Sequence, residues 1–193
     1  MKKNKNSQRG YTLLELLTVV TIVIVVGVIV AGILVSSLRG GSKSTVLDNV
    51  RQNGNYAITQ MSKMIIYAQS FNGVSRDGGI SYTTDCTQAA PSYQYIKITS
   101  FDGGVTVFSC NGPADTPPNT LASRSGSLTP SSLLDTTSVS LISCSFTCTQ
   151  DNFGQAPTIG INFTLSQFGL SNFAEKTANI PFQTSVTIRN NNL

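Results

Sequence analysis

The chain has 193 residues, of which 40% are hydrophobic and 11% charged, enough for one moderate domain beside a membrane segment. Of its 13 basic residues, four (Lys2, Lys3, Lys5 and Arg9) lie in the first ten positions, which leaves nine basic against nine acidic residues in the rest. That neutral remainder has no clustered basic patch of the kind that non-specific nucleic-acid binding requires, so we expect no nucleic-acid partner.

A long apolar run follows the basic N-terminal segment. Leu16 to Val35 (LLTVVTIVIVVGVIVAGILV) is 20 residues without a charge, and a helix of that length covers roughly 30 Å, the hydrocarbon thickness of a bilayer. Since basic flanks stay in the cytoplasm, residues after Val35 are expected outside. A single carboxylate, Glu15, stands at the start of the run, where moving it to the bilayer centre would cost about 2.5–3.5 kcal/mol.

The segment Gly10-Tyr11-Thr12-Leu13-Leu14-Glu15 closely resembles the processing site of type IV prepilins and of the related pseudopilins. The family pattern is a short basic leader ending in Gly, an aromatic residue or Met, Thr-Leu, an aliphatic residue, Glu and a membrane-length apolar run. Tyr11 departs from it, because Phe or Met is commoner there. The resemblance implies that residues 1–10 are a leader, that a prepilin peptidase cuts between Gly10 and Tyr11 and methylates the new amine of Tyr11, and that Glu15 pairs with the N-terminus of a neighbouring subunit.

The same resemblance implies the partners and location of the protein. Before assembly the chain would be a single-pass membrane protein in lipid, with its N-terminus in the cytoplasm and its head domain outside. An inner-membrane assembly platform would then insert it, with other pilin subunits, into a cell-surface or periplasmic filament. Major pilins often carry a helix-bending proline where this chain has Gly32, which favours a minor pilin or a pseudopilin. A pilus, a protein-secretion system and a DNA-uptake system all remain open.

Two other interpretations of the apolar run remain. A cleaved secretory signal has an apolar core of about 7–15 residues and an Ala-x-Ala-like site, whereas this run is longer and Val30-Ala31-Gly32 is a poor site. A signal anchor that holds an unprocessed binding module or adhesin explains the length and the leader charge. It leaves Gly10 and Glu15 unexplained.

Beyond Val35 the sequence predicts a second helical segment. Gly40-Gly41 is expected to interrupt the helix, which gives a filament-core helix over 11–39 and an amphipathic helix over 42–70. In the second segment the apolar residues recur at steps of three and four, so they share one face. That face comprises Leu47, Val50, Gly54, Ile58, Met61, Ile65 and Ala68, and the opposite face carries Asp48, Arg51, Gln52, Asn55 and Lys63.

Residues 71–193 predict an extracytoplasmic antiparallel β-sheet head domain. The fold class is therefore α+β, and the resemblance implies the pilin arrangement of a long N-terminal helix packed on the sheet. Asn72-Gly73 and Asp77-Gly78-Gly79 are expected to be turns. A hairpin turning at Asp102-Gly103-Gly104 and three later strands are predicted; the five strands are Tyr93–Thr99, Val105–Cys110, Val139–Thr147, Thr158–Leu165 and Ile180–Ile188.

Two further segments of the head domain are informative, one through its composition and one through a second resemblance. Residues 111–138 are rich in Pro, Ser and Thr and predict a long loop with one short strand near Leu121. The C-terminal segment Phe-Gln-Thr-Ser-Val-Thr-Ile-Arg-Asn looks like the last strand of minor pilins and pseudopilins of the filament-tip kind. Alternation in this segment places one set of residues on one face: Ile180, Phe182, Thr184, Val186 and Ile188.

The four cysteines, Cys86, Cys110, Cys144 and Cys148, all lie in the head domain. An even number outside the cytoplasm predicts two disulfides, with three possible pairings. Since Cys86 and Cys110 flank the predicted hairpin, we favour Cys86–Cys110 with Cys144–Cys148. In one extended strand, however, Cys144 and Cys148 would lie about 13 Å apart, beyond the roughly 4.4–6.8 Å between the Cα atoms of a disulfide, so this pairing requires a turn at Ser145–Thr147.

No catalytic or cofactor site is indicated. The chain contains no histidine, which excludes Ser-His-Asp and Cys-His sites and removes the commonest general base. Without His or a Cys-x-x-Cys motif a zinc site is disfavoured. Calcium at the Asp77 or Asp102 loops is an alternative to plain Asp-Gly turns. We therefore expect a protein that is not an enzyme and binds no cofactor or metal.

Overall fold

A computed structural model of the chain describes residues 10–88, 92–110, 120–168 and 179–189. Within these ranges the order of elements is one α-helix followed by eight β-strands, so the α+β class is confirmed. The chain divides into two compact units, Met1–Ser44 and Thr45–Leu193. Most of the predicted leader, the first part of the predicted loop 111–138 and the last residue of the C-terminal resemblance, Asn190, lie outside the described residues.

The helix, α1, spans Leu13–Ile66 and contains 54 residues. Thr12 caps its start, because the Thr12 hydroxyl accepts a hydrogen bond from the Glu15 N–H at 3.3 Å. Thr followed three residues later by Glu is the spacing of a capping box. At the other end, the Arg189 N–H donates to the carbonyl of Ile66 at 3.2 Å, which satisfies one of the carbonyls that a helix terminus leaves open.

The predicted interruption at Gly40-Gly41 is wrong, since α1 continues through both residues. A glycine inside a helix costs about 1 kcal/mol relative to alanine. Unlike proline, however, it keeps the N–H that the helical hydrogen bond needs. The two predicted segments, 11–39 and 42–70, therefore form one helix, which ends at Ile66 and not at residue 70.

In the second unit, the predicted apolar face of the helix is confirmed. Val50, Gly54, Met61 and Ile65 are buried, and Ala57, which the sequence pattern missed, is buried with them. Leu47 and Ile58 are partly buried. All five residues predicted for the opposite face are exposed. This face packs into the hydrophobic core formed with the inward side chains of two antiparallel sheets, among them Ile96, Phe108, Phe146 and Ile161.

The first sheet has five strands in sequential order and contains the predicted hairpin. The strands are β1 Ser70–Ser75, β2 Tyr95–Thr99, β3 Val105–Ser109, β4 Ala122–Ser125 and β5 Ser131–Ser132. β2 and β3 pair antiparallel, with Ile96 opposite Phe108, around a turn where Gly103 has φ of 81°. The predicted loop 111–138 contributes two short strands, β4 and β5.

The second sheet consists of the three strands predicted last in the chain, in sequential order. They are β6 Val139–Thr149, β7 Thr158–Gln167 and β8 Ile180–Thr187. The alternation predicted for β8 is confirmed, because Phe182 and Val186 face the core while Gln183 and Ser185 are exposed.

The predicted turn at Asn72-Gly73 is wrong, whereas that at Asp77-Gly78-Gly79 is confirmed. Asn72 and Gly73 lie inside β1, which shifts register against β2 between Phe71 and Gly73. This is a β-bulge, which like a turn often contains a glycine with a positive φ. Gly73 has φ of 115°, and a β-carbon there would lie 2.7 Å from the carbonyl oxygen of Thr83.

A close contact joins the helix to the second sheet at Gly54. The ring of Phe182 in β8 lies over this glycine, and a β-carbon at position 54 would lie 2.1 Å from the Phe182 Cζ. Phe182 is held in place by stacking on Phe163 of β7, with ring centroids 5.2 Å apart. The side chain of residue 54 must therefore be absent for the helix and β8 to pack as they do.

Replacing Gly54 with alanine should lower the free energy of unfolding of the head domain by about 1–3 kcal/mol, the usual cost of overpacking a core. Urea unfolding of the full chain in detergent micelles, followed by near-ultraviolet circular dichroism, measures it. Gly40→Ala is the matched control, because nothing lies within 4 Å of a β-carbon at Gly40. Equal stability of Gly54→Ala and the wild type would contradict this packing.

Candidate functional site

The residues that resemble a prepilin processing site lie at the start of α1, where they are accessible. Gly10 and Tyr11 precede the helix, and the side chain of Tyr11 is 85% exposed. A β-carbon at Gly10 would meet nothing within 4 Å. The peptide bond between Gly10 and Tyr11 is therefore free of surrounding side chains among the described residues, as access by another protein requires.

Glu15 lies in the first turn of α1, where its negative charge interacts favourably with the helix dipole. Across the described ranges, the one ion pair is Arg51–Asp48 at 3.9 Å, so none of the described cations pairs with Glu15. The backbone of Glu15 takes part in the cap with Thr12.

The apolar run Leu16–Val35 is uncovered in the single chain. None of its most apolar 18-residue window is buried, and within the described residues α1 is the one helix long and apolar enough to cross a membrane. The hydroxyls of Thr18 and Thr21 donate to the carbonyls of Glu15 and Thr18, at 2.9 and 2.8 Å. Both polar side chains are thus satisfied within the helix, as a hydrocarbon environment demands.

The two predicted disulfides are present, but the favoured pairing is wrong. Cys86 bonds to Cys148 and Cys110 bonds to Cys144, with Cα–Cα distances of 5.4 and 5.3 Å. The turn that a Cys144–Cys148 bond would need at Ser145–Thr147 does not form, because β6 runs through all of these residues as one strand. Cys144 and Cys148 are four apart, so they lie on the same side of β6 and each reaches a separate partner.

The two disulfides clamp β6 against the part of the chain that leads into and out of the β2–β3 hairpin. Between them, Tyr93 and Phe146 exchange two backbone hydrogen bonds, both 2.8 Å. Beside Cys148, the Gln150 side chain accepts a bond from the Cys86 N–H at 2.9 Å. We call these two disulfides and the Tyr93–Phe146 bridge the clamp. Sequence reasoning missed Gln150, and no sequence signal distinguishes it from the other glutamines.

Asp77 and Asp102, the candidate calcium ligands, accept hydrogen bonds within their own turns. The Asp77 carboxylate accepts hydrogen bonds from the hydroxyls of Ser75 and Ser81 and from the Ser81 N–H, and Asp102 accepts one from the Gly104 N–H at 3.0 Å. The described residues contain no group of three or more His, Cys, Asp or Glu side chains that could hold a metal ion. The hydrogen bonds from Ser75 and then Ser81 hold the pKa of Asp77 well below its ordinary value of 3.8.

This lowered pKa predicts a pH-dependent contribution of Asp77 to stability. Because the folded value is depressed, the contribution is present above the ordinary value of 3.8 and is lost as the pH falls towards the folded pKa. Asp77→Asn should therefore be less stable than the wild type at neutral pH, and the difference should shrink below pH 3.8. Urea unfolding across a pH series measures this, with Asp151→Asn, in the exposed turn after β6, as control. A difference that stayed constant down to the lowest pH would count against the role of Asp77.

Comparisons of the chain with family models, with curated proteins and with solved structures found no match. Function must therefore be inferred from the chain's own residues. These are the segment from Gly10 to Glu15, the uncovered apolar run behind it, and the head domain with its clamp.

Proposed function

We propose that the chain is a structural subunit, a minor pilin or pseudopilin, of a type IV pilus-like filament. The observation that carries the proposal is that two features occur together at the start of α1, an uncovered apolar surface and an acidic residue. A membrane-length helical surface has none of its apolar window buried, and an acidic residue without a cation among the described residues stands at its end. Monomeric soluble proteins rarely leave so large an apolar surface uncovered.

Lipid is the first environment that would cover this surface. A lone transmembrane segment must satisfy its own backbone hydrogen bonds, and α1 does so as an unbroken helix through Leu16–Val35. The leader charges at Lys2, Lys3, Lys5 and Arg9 favour an N-terminus in the cytoplasm. The precursor is thus a single-pass membrane protein whose head domain lies outside, where its disulfides can form.

Cleavage after Gly10 by a prepilin peptidase is the step that allows the helix to leave the membrane and enter a filament. It removes the four leader charges, which would oppose withdrawal of the helix from the membrane, and leaves a free, methylated amine at Tyr11. The exposure of Gly10 and Tyr11 supports this access. Other pilin subunits then replace lipid as the surroundings of Leu16–Val35, delivered by the assembly platform in the inner membrane.

Glu15 sets the position of each subunit in the filament. A carboxylate in apolar surroundings is destabilising unless it is paired, and the amine of Tyr11 on an adjacent copy would supply the opposite charge. The pairing is possible only at one axial offset between neighbouring helices, so it favours one register. This part of the mechanism requires both the cut and the charge of Glu15.

We infer a structural role and no catalysis, since the chain has no histidine and no cofactor chemistry enters the mechanism. The competing proposal is a signal-anchored binding module or adhesin that keeps its leader. Shearing filaments from cells that make the protein and probing them with an antibody separates the two. A subunit co-sediments with the filaments, whereas an anchored module stays in the membrane fraction, and that second outcome would contradict the proposal.

A further inference from the structure

The face of the five-stranded sheet that points away from the core carries an arrangement of cations and aromatic rings. Ile96 and Ile98 of β2 are buried in the core, so the alternate residues Tyr95 and Lys97 point to the opposite face. Lys97 pairs with Val107 of β3, and Val107 pairs in turn with Arg124 of β4. One row across three strands therefore places a lysine and an arginine on either side of a valine.

Tyr82, in the loop between β1 and β2, covers this row. The Lys97 Nζ lies 5.1 Å from the centroid of the Tyr82 ring, a cation–π contact. A cavity of about 70 Å³ lies beside the ring, lined by Tyr82, Tyr95, Ser109 and Arg124 with Val107 among its apolar walls. Strands are about 4.8 Å apart, so the Cα atoms of Lys97 and Arg124 lie roughly 10 Å apart, within the reach of two long side chains.

The charges around the cavity are predominantly positive. Burial raises the pKa of the Tyr82 hydroxyl while the positive charge of Arg124 acts in the opposite direction, which places Arg124 within electrostatic reach of that ring. Asp77 also acts on Tyr82 and stays ionised, because the hydrogen bonds from Ser75 and Ser81 hold its pKa low. The two cations Lys97 and Arg124 therefore face one carboxylate. Within the described ranges Arg124 forms no ion pair with a carboxylate.

The size of the cavity restricts what can enter it. One water needs about 10–15 Å³ of such space, so 70 Å³ accommodates a group of roughly five heavy atoms. A carboxylate or a phosphate fits within that space, and a guanidinium can donate two parallel hydrogen bonds to either one. Tyr82 and Tyr95, which line the cavity, can make apolar contacts with whatever carries the group.

We propose that this cavity is a binding site for an oxyanion, the carboxylate or phosphate group of a ligand at the cell surface, held by Arg124 with Lys97 adding positive potential. Tyr82 and Ser109 also line the cavity. The site goes beyond filament assembly and uses only head-domain residues. Failure of cleavage or of Glu15 pairing would leave it intact, and its own failure would leave the assembly proposal untouched.

Isothermal titration calorimetry of the full chain in detergent micelles, with inorganic phosphate and with glucuronate as separate probes, tests the site. Arg124→Gln should weaken binding of the probe about tenfold or more, as loss of hydrogen bonds to a charged group does. Lys97→Gln should weaken it a few-fold. Arg189→Gln removes the same charge from an exposed position after β8 and should bind as the wild type does.

The two probes distinguish the sources of the oxyanion. Binding of both supports a general oxyanion site, binding of glucuronate alone supports a carboxylate on a sugar ring, and binding of phosphate alone supports a phosphoryl group. Circular dichroism of each variant checks its fold. If Arg124→Gln does not fold, Lys97→Gln is the test variant. If neither probe binds the wild type, or if Arg189→Gln loses as much affinity as Arg124→Gln, the proposal is overturned.

Discussion

Replacing Glu15 with glutamine should remove the chain from filaments and leave it in the membrane. A glutamine three residues after Thr12 can still form a capping box, so the start of α1 is preserved. Only the charge that would pair with the amine of Tyr11 on a neighbouring copy is lost. An uncompensated amine in apolar surroundings is strongly destabilising, by about 3–5 kcal/mol, which corresponds to loss of incorporation by a factor of roughly 100 or more.

The measurement compares the amount of chain in sheared filaments with the amount in the membrane fraction. Glu15→Ala should behave as Glu15→Gln does, because both lose the charge. Asp48→Asn is the control, since Asp48 is an exposed carboxylate on the same helix whose one ion pair, with Arg51, lies at the surface and is worth little. Normal incorporation of Glu15→Gln would show that the charge has no role in assembly.

Reducing the two disulfides of the clamp should have the largest effect on the stability of the head domain. The disulfides close loops of 62 and 34 residues, and the loop-entropy relation gives about 4 kcal/mol for each. Since a domain of this size is stable by about 5–15 kcal/mol, reduction of both bonds should bring the head domain close to unfolding. Urea unfolding with and without a reductant measures the difference.

Serine variants distinguish the observed pairing from the one that the sequence favoured. Cys144→Ser with Cys148→Ser leaves Cys86 and Cys110, which are not partners in the clamp, so two free thiols are expected. Cys86→Ser with Cys148→Ser should leave none, because the Cys110–Cys144 bond remains. A thiol titration of both variants under denaturing conditions gives the counts. A single disulfide in the first variant would contradict the observed pairing.

Features that depend on local periodicity were predictable. The buried face of α1 through Val50, Met61 and Ile65 follows from steps of three and four, and the β2–β3 hairpin follows from alternation around Asp102-Gly103-Gly104. The errors arose where one dipeptide permits two structures. Asn72-Gly73 suits a turn, but it also suits the bulge found in β1, and Gly40-Gly41 weakens a helix without ending it.

Features that depend on pairing between distant strands were not predictable. Cys86 meets Cys148 only because β6 lies beside the segment that carries Cys86 and Tyr93, and no local pattern encodes that neighbour. The row of Lys97, Val107 and Arg124 likewise requires the register of three strands. The resemblance of the segment from Gly10 to Glu15 depends on six consecutive residues and on no distant contact, and both the resemblance and the processing that it implies stay predictions.

The mass of the mature N-terminal peptide, taken from protein isolated from the cells that make it, decides whether the chain is processed for assembly. We expect a peptide that begins at Tyr11, with a methyl group on its amine and without residues 1–10. A peptide that begins at Met1 in the functional protein, or one cut near Ala31, would contradict the proposed function.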